Sequence, residues 1–189
     1  MTIQYESSRR RFLMSAVAAA AAGLLAVGTS GCTDASIIDR RLVFTSLNDA
    51  LHELDRLTKS VVLKRGTVWT WPQTLIHCAQ SIEYSMTGFP QAKSPLFQHT
   101  IGAAAFGAFS WRGRMTHDLA EQIPGAPSLD ATIDAASAMA RLQRAVQDFR
   151  SRKEPLRPHF AYGELTKSEY ERAHAMHLGN HFSAFDAQA

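Results

Sequence analysis

The sequence predicts an all-α protein, a bundle of four helices with an extra short helix between the second and third. Three observations carry this. Apolar residues recur at helical spacing in four separate segments. Start signals of the Ser/Thr…Asp/Glu or Pro type stand at the heads of these segments, and Gly or Pro interrupts between them. The heptads are not sustained, which favours a bundle over a coiled coil.

The first helix opens at Ser46, with Asp49 three residues later, and runs through Leu47, Leu51, Leu54 and Val61 until Gly66 ends it. His52 is flanked by polar residues and belongs on its solvated face. The second begins near Trp69–Pro72, with Pro72 suited to the first helical position. Its stripe of Leu75, Ala79, Ile82 and Met86 faces a core. A second stripe carries His77, Ser81 and Tyr84, a polar face suited to a bundle end that opens into a site. Cys78, between the two, reads as a small buried hydrophobe.

Gly88 and Pro90 break the pattern. After Ser94-Pro95, a segment rich in Phe, Ala and Gly forms a shorter, tightly packed helix that gives way at Gly113. His99 and His117 have no partner at helical spacing, so both are expected to be structural or exposed. A loop around Pro124-Gly125 leads, through Ser128 and Asp130, into a long amphipathic helix with Ile133, Ala136, Ala140, Val146 and Phe149 inward. Pro155 and Pro158 enforce an extended link to the last helix.

That helix holds the chemistry. Thr166 and Glu169 form a capping-box pattern, with Leu165 placed to staple onto Tyr170. At about 100° per residue His174, His177 and His181 share an arc of roughly 60°. His177 and His181, one turn apart, can converge on one ion, and the third ligand must come from elsewhere. His77, on the polar face of the second helix, is that third ligand. An isolated i, i+4 pair is a weak motif in a chain with eight histidines, so the alternative is a histidine-rich helix with no metal.

The amino terminus reads as an export signal. Ser8-Arg9-Arg10-Arg11-Phe12-Leu13 has the twin-arginine pattern, and the apolar run from Ala16 to Val27 is too short to span a bilayer permanently. Thr29-Ser30-Gly31-Cys32 resembles a lipoprotein cleavage site that would acylate Cys32, with Thr29 where Leu is usual. Ordinary signal cleavage is the alternative. The expected organisation is a signal over 1–32, a tether over 33–45 and a helical domain over 46–189, in a bacterial envelope on the periplasmic side. Export would leave Cys78 without a disulfide partner.

Three arginines against one glutamate in residues 1–32 hold two of the three net positive charges. The remaining domain is close to neutral and has no basic stripe for nucleic acid.

The runs QTLIHCAQSIEYSMTGFP, KSPLFQ, IPGAP and PHFAYGELTKSEYERAHAMHLGNHF resemble the DinB-like four-helix-bundle superfamily, and more closely its branch known as domain of unknown function 1569, over about residues 45 to 185. The resemblance implies an up-down-down-up bundle with a divalent metal at one end, held by one histidine of helix two and an H-x-x-x-H pair of the last helix. These positions are His77, His177 and His181. His174 would then sit beside the ligands, with His159 in the loop entering the helix near the same end. Either His174 or Tyr84 is a candidate to donate or orient a proton.

Three neutral imidazoles suit zinc or nickel, with iron or manganese as further options. The implied function is metal-dependent transfer or hydrolysis on an unknown small molecule. A non-catalytic envelope module that binds metal or ligand is the alternative. The partners expected are that small molecule, no nucleic acid, and the membrane through a lipid anchor if Cys32 is acylated; a homodimer is left open. No glutamate adjoins the histidine pair as in H-E-x-x-H proteases. A cavity of a few hundred cubic ångströms above the ligands would favour a substrate over a sealed structural metal.

Overall fold

The computed structural model describes residues 39–59, 63–65 and 67–187. The signal stretch of residues 1–32 with Cys32, the first part of the tether, and Val61 and Gly66 at the end of the first helix lie outside the described residues. The chain divides into Met1–Asp34 and Ala35–Ala189, and the described residues all belong to the second unit.

The described residues are predominantly helical, with five helices and two very short strands. Helix α1 is Leu47–Thr58, opened by the expected Ser46/Asp49 capping box. Helix α2 is Trp71–Thr87; Thr70 caps it reciprocally with Gln73, and Pro72 sits in its first turn. The third helix, α3, is built from Pro95–Phe97, a π-helical turn Gln98–Gly102 and Ala103–Arg112. Helix α4 is Ala135–Ser151 and α5 is Lys167–Phe182. No described helix is long and apolar enough to cross a membrane.

Helix α1 is shorter than its sequence pattern. Residues Leu63–Arg65 form strand β1, which pairs antiparallel with β2, Phe185–Ala187, in the register Leu63↔Ala187 and Arg65↔Phe185. Local periodicity cannot see that choice, because the pairing partner lies more than a hundred residues away. Arg56, Arg40 and Asp186 add ion pairs where the β2 end meets α1. Residues 39–45, expected to be tether, are docked. Arg40 N–H donates to the Ser183 carbonyl (3.0 Å), Leu42 N–H to Ser183 Oγ (2.8 Å), and Phe44 is buried with its ring edge-on to Phe182.

Leu47, Ala50, Leu54 and Leu57 of α1, Leu75, Ala79 and Ile82 of α2, Ala138, Leu142, Ala145 and Phe149 of α4, and Tyr170, Leu178 and Phe182 of α5 share one core. Cys78 is buried with them, and burial pushes its thiol pKa up. In α4 the buried stripe differs from the expected one. Ala136 is exposed and Ile133 precedes the helix, because Asp134, accepting from Ser137 N–H at 2.9 Å, caps it later than Ser128 or Asp130 would. Alanine at many positions left the phase of that stripe ambiguous.

Helix α3 is not tightly packed as its small residues suggest; its last ten residues bury none of their side chains. Its close approach is confined to Gly102, where an added Cβ would lie 1.9 Å from the Ala161 carbonyl oxygen. That contact seats the turn 159–163 on α3. Gln98 Nε2 donates to the carbonyls of His159 (3.3 Å) and Phe160 (3.1 Å), and Lys93 N–H donates to Phe160 O (2.8 Å). Gly102→Ala is therefore expected to destabilise by about 1–3 kcal/mol, the range for overpacking. Urea denaturation reads this directly, and an unchanged midpoint would show that the turn is not seated as described.

Candidate metal centre

Two helices bring the ligands together. The α2 cap sets the phase that turns His77 inward, and the α5 cap, with both halves of its Thr166/Glu169 box formed, does the same for His174, His177 and His181. Thr166 accepts from Glu169 N–H (3.3 Å), and Glu169 takes Thr166 N–H (2.8 Å). All four histidines are buried. From Ala173 to Phe182 every residue of α5 but Asn180 is buried and is apolar or histidine, as the part of a helix enclosed by neighbours must be.

His77, His177 and His181 each present one ring nitrogen within 4.8 Å of the others. Their ring centroids lie 4.7–5.1 Å apart, and His77 Nε2 is 3.2 Å from His177 Nε2. Two nitrogens on one tetrahedral zinc at the usual bond length are separated by ~3.3 Å, so this spacing matches ligands about a common ion. Trp69 closes one side, with its ring 4.8 Å from His77 and 5.9 Å from His181.

The hydrogen-bond inventory favours an ion as well. Nδ1 of His77, Nδ1 of His177 and both nitrogens of His181 are buried without a protein partner. Leaving a buried polar group unsatisfied costs about 1–3 kcal/mol. For His181 a cation would take up the lone pair of one ring nitrogen, whereas Nδ1 of His77 and of His177 would carry the ring protons if their converging Nε2 atoms were the ligands. Burial, reinforced by the neighbouring imidazoles, depresses the pKa of His177 and His181 well below the ordinary value, and burial with nearby His117 lowers that of His77 to about 3. The cluster is held neutral, the state in which imidazole binds metal.

The other expected site residues fall in three places. His174 donates from Nε2 to Ser85 Oγ (3.2 Å), since the Ser85 hydroxyl is itself committed to the Ile82 carbonyl (2.6 Å). Its ring stacks on Tyr170 and meets Phe149 edge-on, beside the ligands and not among them. His159 reaches the same end of the molecule. Tyr84 does not: it packs on Phe89 and is absent from the walls of the cleft described next. His52 and His99 are exposed, as expected.

A cleft of about 320 Å³ opens beside the ligands, lined by His77, Ser81, His117, His159, His174 and His177 among its polar groups and by Phe97, Met115, Ile123 and Phe160 among its apolar ones. His117 is the residue that sequence reasoning misplaced. It rides on the segment after α3, its ring 5.2 Å from His177 and 5.1 Å from His181. The Asn180 side chain donates to its carbonyl (3.3 Å), and its Nδ1–H donates to the Asp118 carbonyl (2.9 Å). No spacing signal could have found it, because a lone histidine in an irregular segment has no period.

Fold and site together define a helical protein whose buried three-histidine cluster could hold a metal ion. The chain belongs to the family described as "Protein of unknown function (DUF1569)", whose model matches residues 37–188. No curated protein matches this chain, and no solved structure does.

Proposed function

We propose that this protein is a DinB-like up-down-down-up four-helix bundle that holds a divalent metal through His77, His177 and His181 and uses it to transfer or hydrolyse a group on a small molecule. Zinc and nickel are the ions that three neutral imidazoles suit best, with iron and manganese next. The single observation behind this is the convergence of three buried imidazoles, two of which, His77 and His177, line an open cleft, while His181 behind them has no partner for either ring nitrogen among the described residues. A closed structural centre would have no such opening.

A divalent ion in this position supplies Lewis acidity toward an oxygen or sulfur ligand. The protein's own residues do the rest. His174, fixed by Ser85 with Nε2 protonated, keeps Nδ1 as an acceptor in a residue that lines the cleft, and so orients a proton-bearing group there. Met115, Ile123, Phe97 and Phe160 exclude water around it. The other reading is an envelope module that binds metal without turnover; the H-E-x-x-H class of hydrolase is disfavoured because no glutamate adjoins the His177/His181 pair in the sequence.

Export by the twin-arginine route, with Cys32 acylated and the domain tethered on the periplasmic side, belongs to the same proposal and rests on residues 1–32 of the sequence. Elemental analysis of the protein purified after native export tests the metal. One equivalent of a transition metal is expected in the wild type and well under a tenth of that in His177→Ala. Equal content in both would overturn the assignment.

A further inference from the structure

His159 stands outside the proposed ligand set, yet its side chain is fixed by two hydrogen bonds and by rings on two sides. Its Nδ1 accepts two backbone N–H groups, from Ala161 (3.1 Å) and Tyr162 (3.2 Å). An atom that accepts twice cannot carry the ring's proton, so the proton is on Nε2. The ring is sandwiched: Tyr162 stacks on it at 4.2 Å and 7°, and Phe89 meets it edge-on at 5.0 Å. Burial and nearby His174 lower its pKa to about 3, so it stays neutral at ordinary pH.

The turn that bears it is closed on itself by paired hydrogen bonds between His159 and Gly163 (2.7 and 3.1 Å), with Gly163 at φ +74°. Gln98, Lys93 and the Gly102 contact then clamp it to α3. All this holds one residue whose remaining nitrogen, Nε2, has no hydrogen-bond partner among the described residues. The ring lines the cleft shared with His77 and His177.

We infer that His159 is a substrate-recognition residue, a fixed neutral N–H donor that selects small, largely apolar molecules presenting a carbonyl-type oxygen to it. The oxygen is required because Nε2 can only donate. An apolar body is required because Phe97, Met115, Ile123 and Phe160 form the wall around it, while the charged lining groups Lys93 and Glu121 are exposed. A donor that the bound molecule would bury without a partner makes the site reject an analogue that lacks the acceptor. This deepens the proposed function by naming the substrate class, and it rests on the cleft being that function's substrate site.

The test uses two isosteric probes, acetophenone and α-methylstyrene, which differ by C=O against C=CH2. Binding is titrated by NMR on the full chain, both zinc-loaded and metal-free, with ¹⁵N-labelled histidine. Long-range ¹H–¹⁵N spectra are expected to show the His159 proton on Nε2, and acetophenone to shift that nitrogen. Acetophenone should bind about tenfold more tightly than α-methylstyrene, the worth of one hydrogen bond. In His159→Phe that ratio should fall to about one with α-methylstyrene binding retained, and His159→Gln, which keeps an N–H donor, should recover part of it.

A proton on Nδ1, no binding of either probe, equal binding of the two, or an undiminished ratio in His159→Phe would each overturn the inference. The metal-free titration separates the two claims. A protein that takes up no zinc yet keeps the His159-dependent ratio loses its metal assignment and not this one.

Discussion

Saturating the protein with zinc is expected to raise its unfolding free energy by about 4 kcal/mol at an ion concentration a thousandfold above the dissociation constant, because the folded state alone assembles the ligands. His181→Ala should abolish most of that gain. Structural zinc sites contribute about 10–16 kcal/mol of binding free energy, so removing one ligand of three is expected to weaken binding on the order of a thousandfold.

The metal-free comparison is the informative control. Both His181 nitrogens are buried and unpartnered in the absence of an ion, so replacing the ring removes an unsatisfied group along with packing against Trp69 and His77. Metal-free His181→Ala should consequently fall within about 1–3 kcal/mol of metal-free wild type, the range for leaving such a group unpaired. The large loss should be seen only under zinc. Denaturant titrations with and without zinc read all four states, and a variant as responsive to zinc as the wild type would exclude His181 as a ligand.

Acidification is the second large effect. His77, His117, His159, His174, His177 and His181 all have pKa values lowered by burial in the folded protein. In the unfolded chain they titrate near 6.5, so below that pH the unfolded state binds more protons than the folded one. Stability is fully present above about pH 6.5 and is lost as pH falls toward 3, where His77, His159 and His174 reach their folded values.

Each such histidine contributes a slope on the order of 1 kcal/mol per pH unit once pH is well below 6. The five with large shifts, His77, His159, His174, His177 and His181, together approach the whole stability of an ordinary domain within about two units. The metal-free protein is expected to unfold cooperatively between about pH 5 and 4, with imidazole protonation as the cause. Thermal midpoints across pH 4–8 measure it, and a flat profile between 6.5 and 4.5 would mean that the histidines are not buried neutral.

What the amino-acid sequence alone determined was most of what is local, the start and buried face of α4 excepted. Helix caps at Ser46 and Thr166 were legible because a capping box spans four residues, and the inward stripe of α2 was legible because Leu75, Ala79, Ile82 and Met86 are all apolar. His177 and His181 were legible as neighbours for the same reason: one helical turn sets their separation whatever the rest of the chain does.

Tertiary structure decided what depends on distant partners. Strand β1 exists because Phe185–Ala187 lies beside it, and residues 39–45 are docked because Ser183 and Phe182 receive them. His117 and His159 reach the cleft on irregular segments whose path is set by Asn180, Gln98 and Gly102. Side-chain spacing along a regular helix is fixed by its backbone geometry, whereas where a loop lands is fixed by contacts that the loop's own residues do not contain.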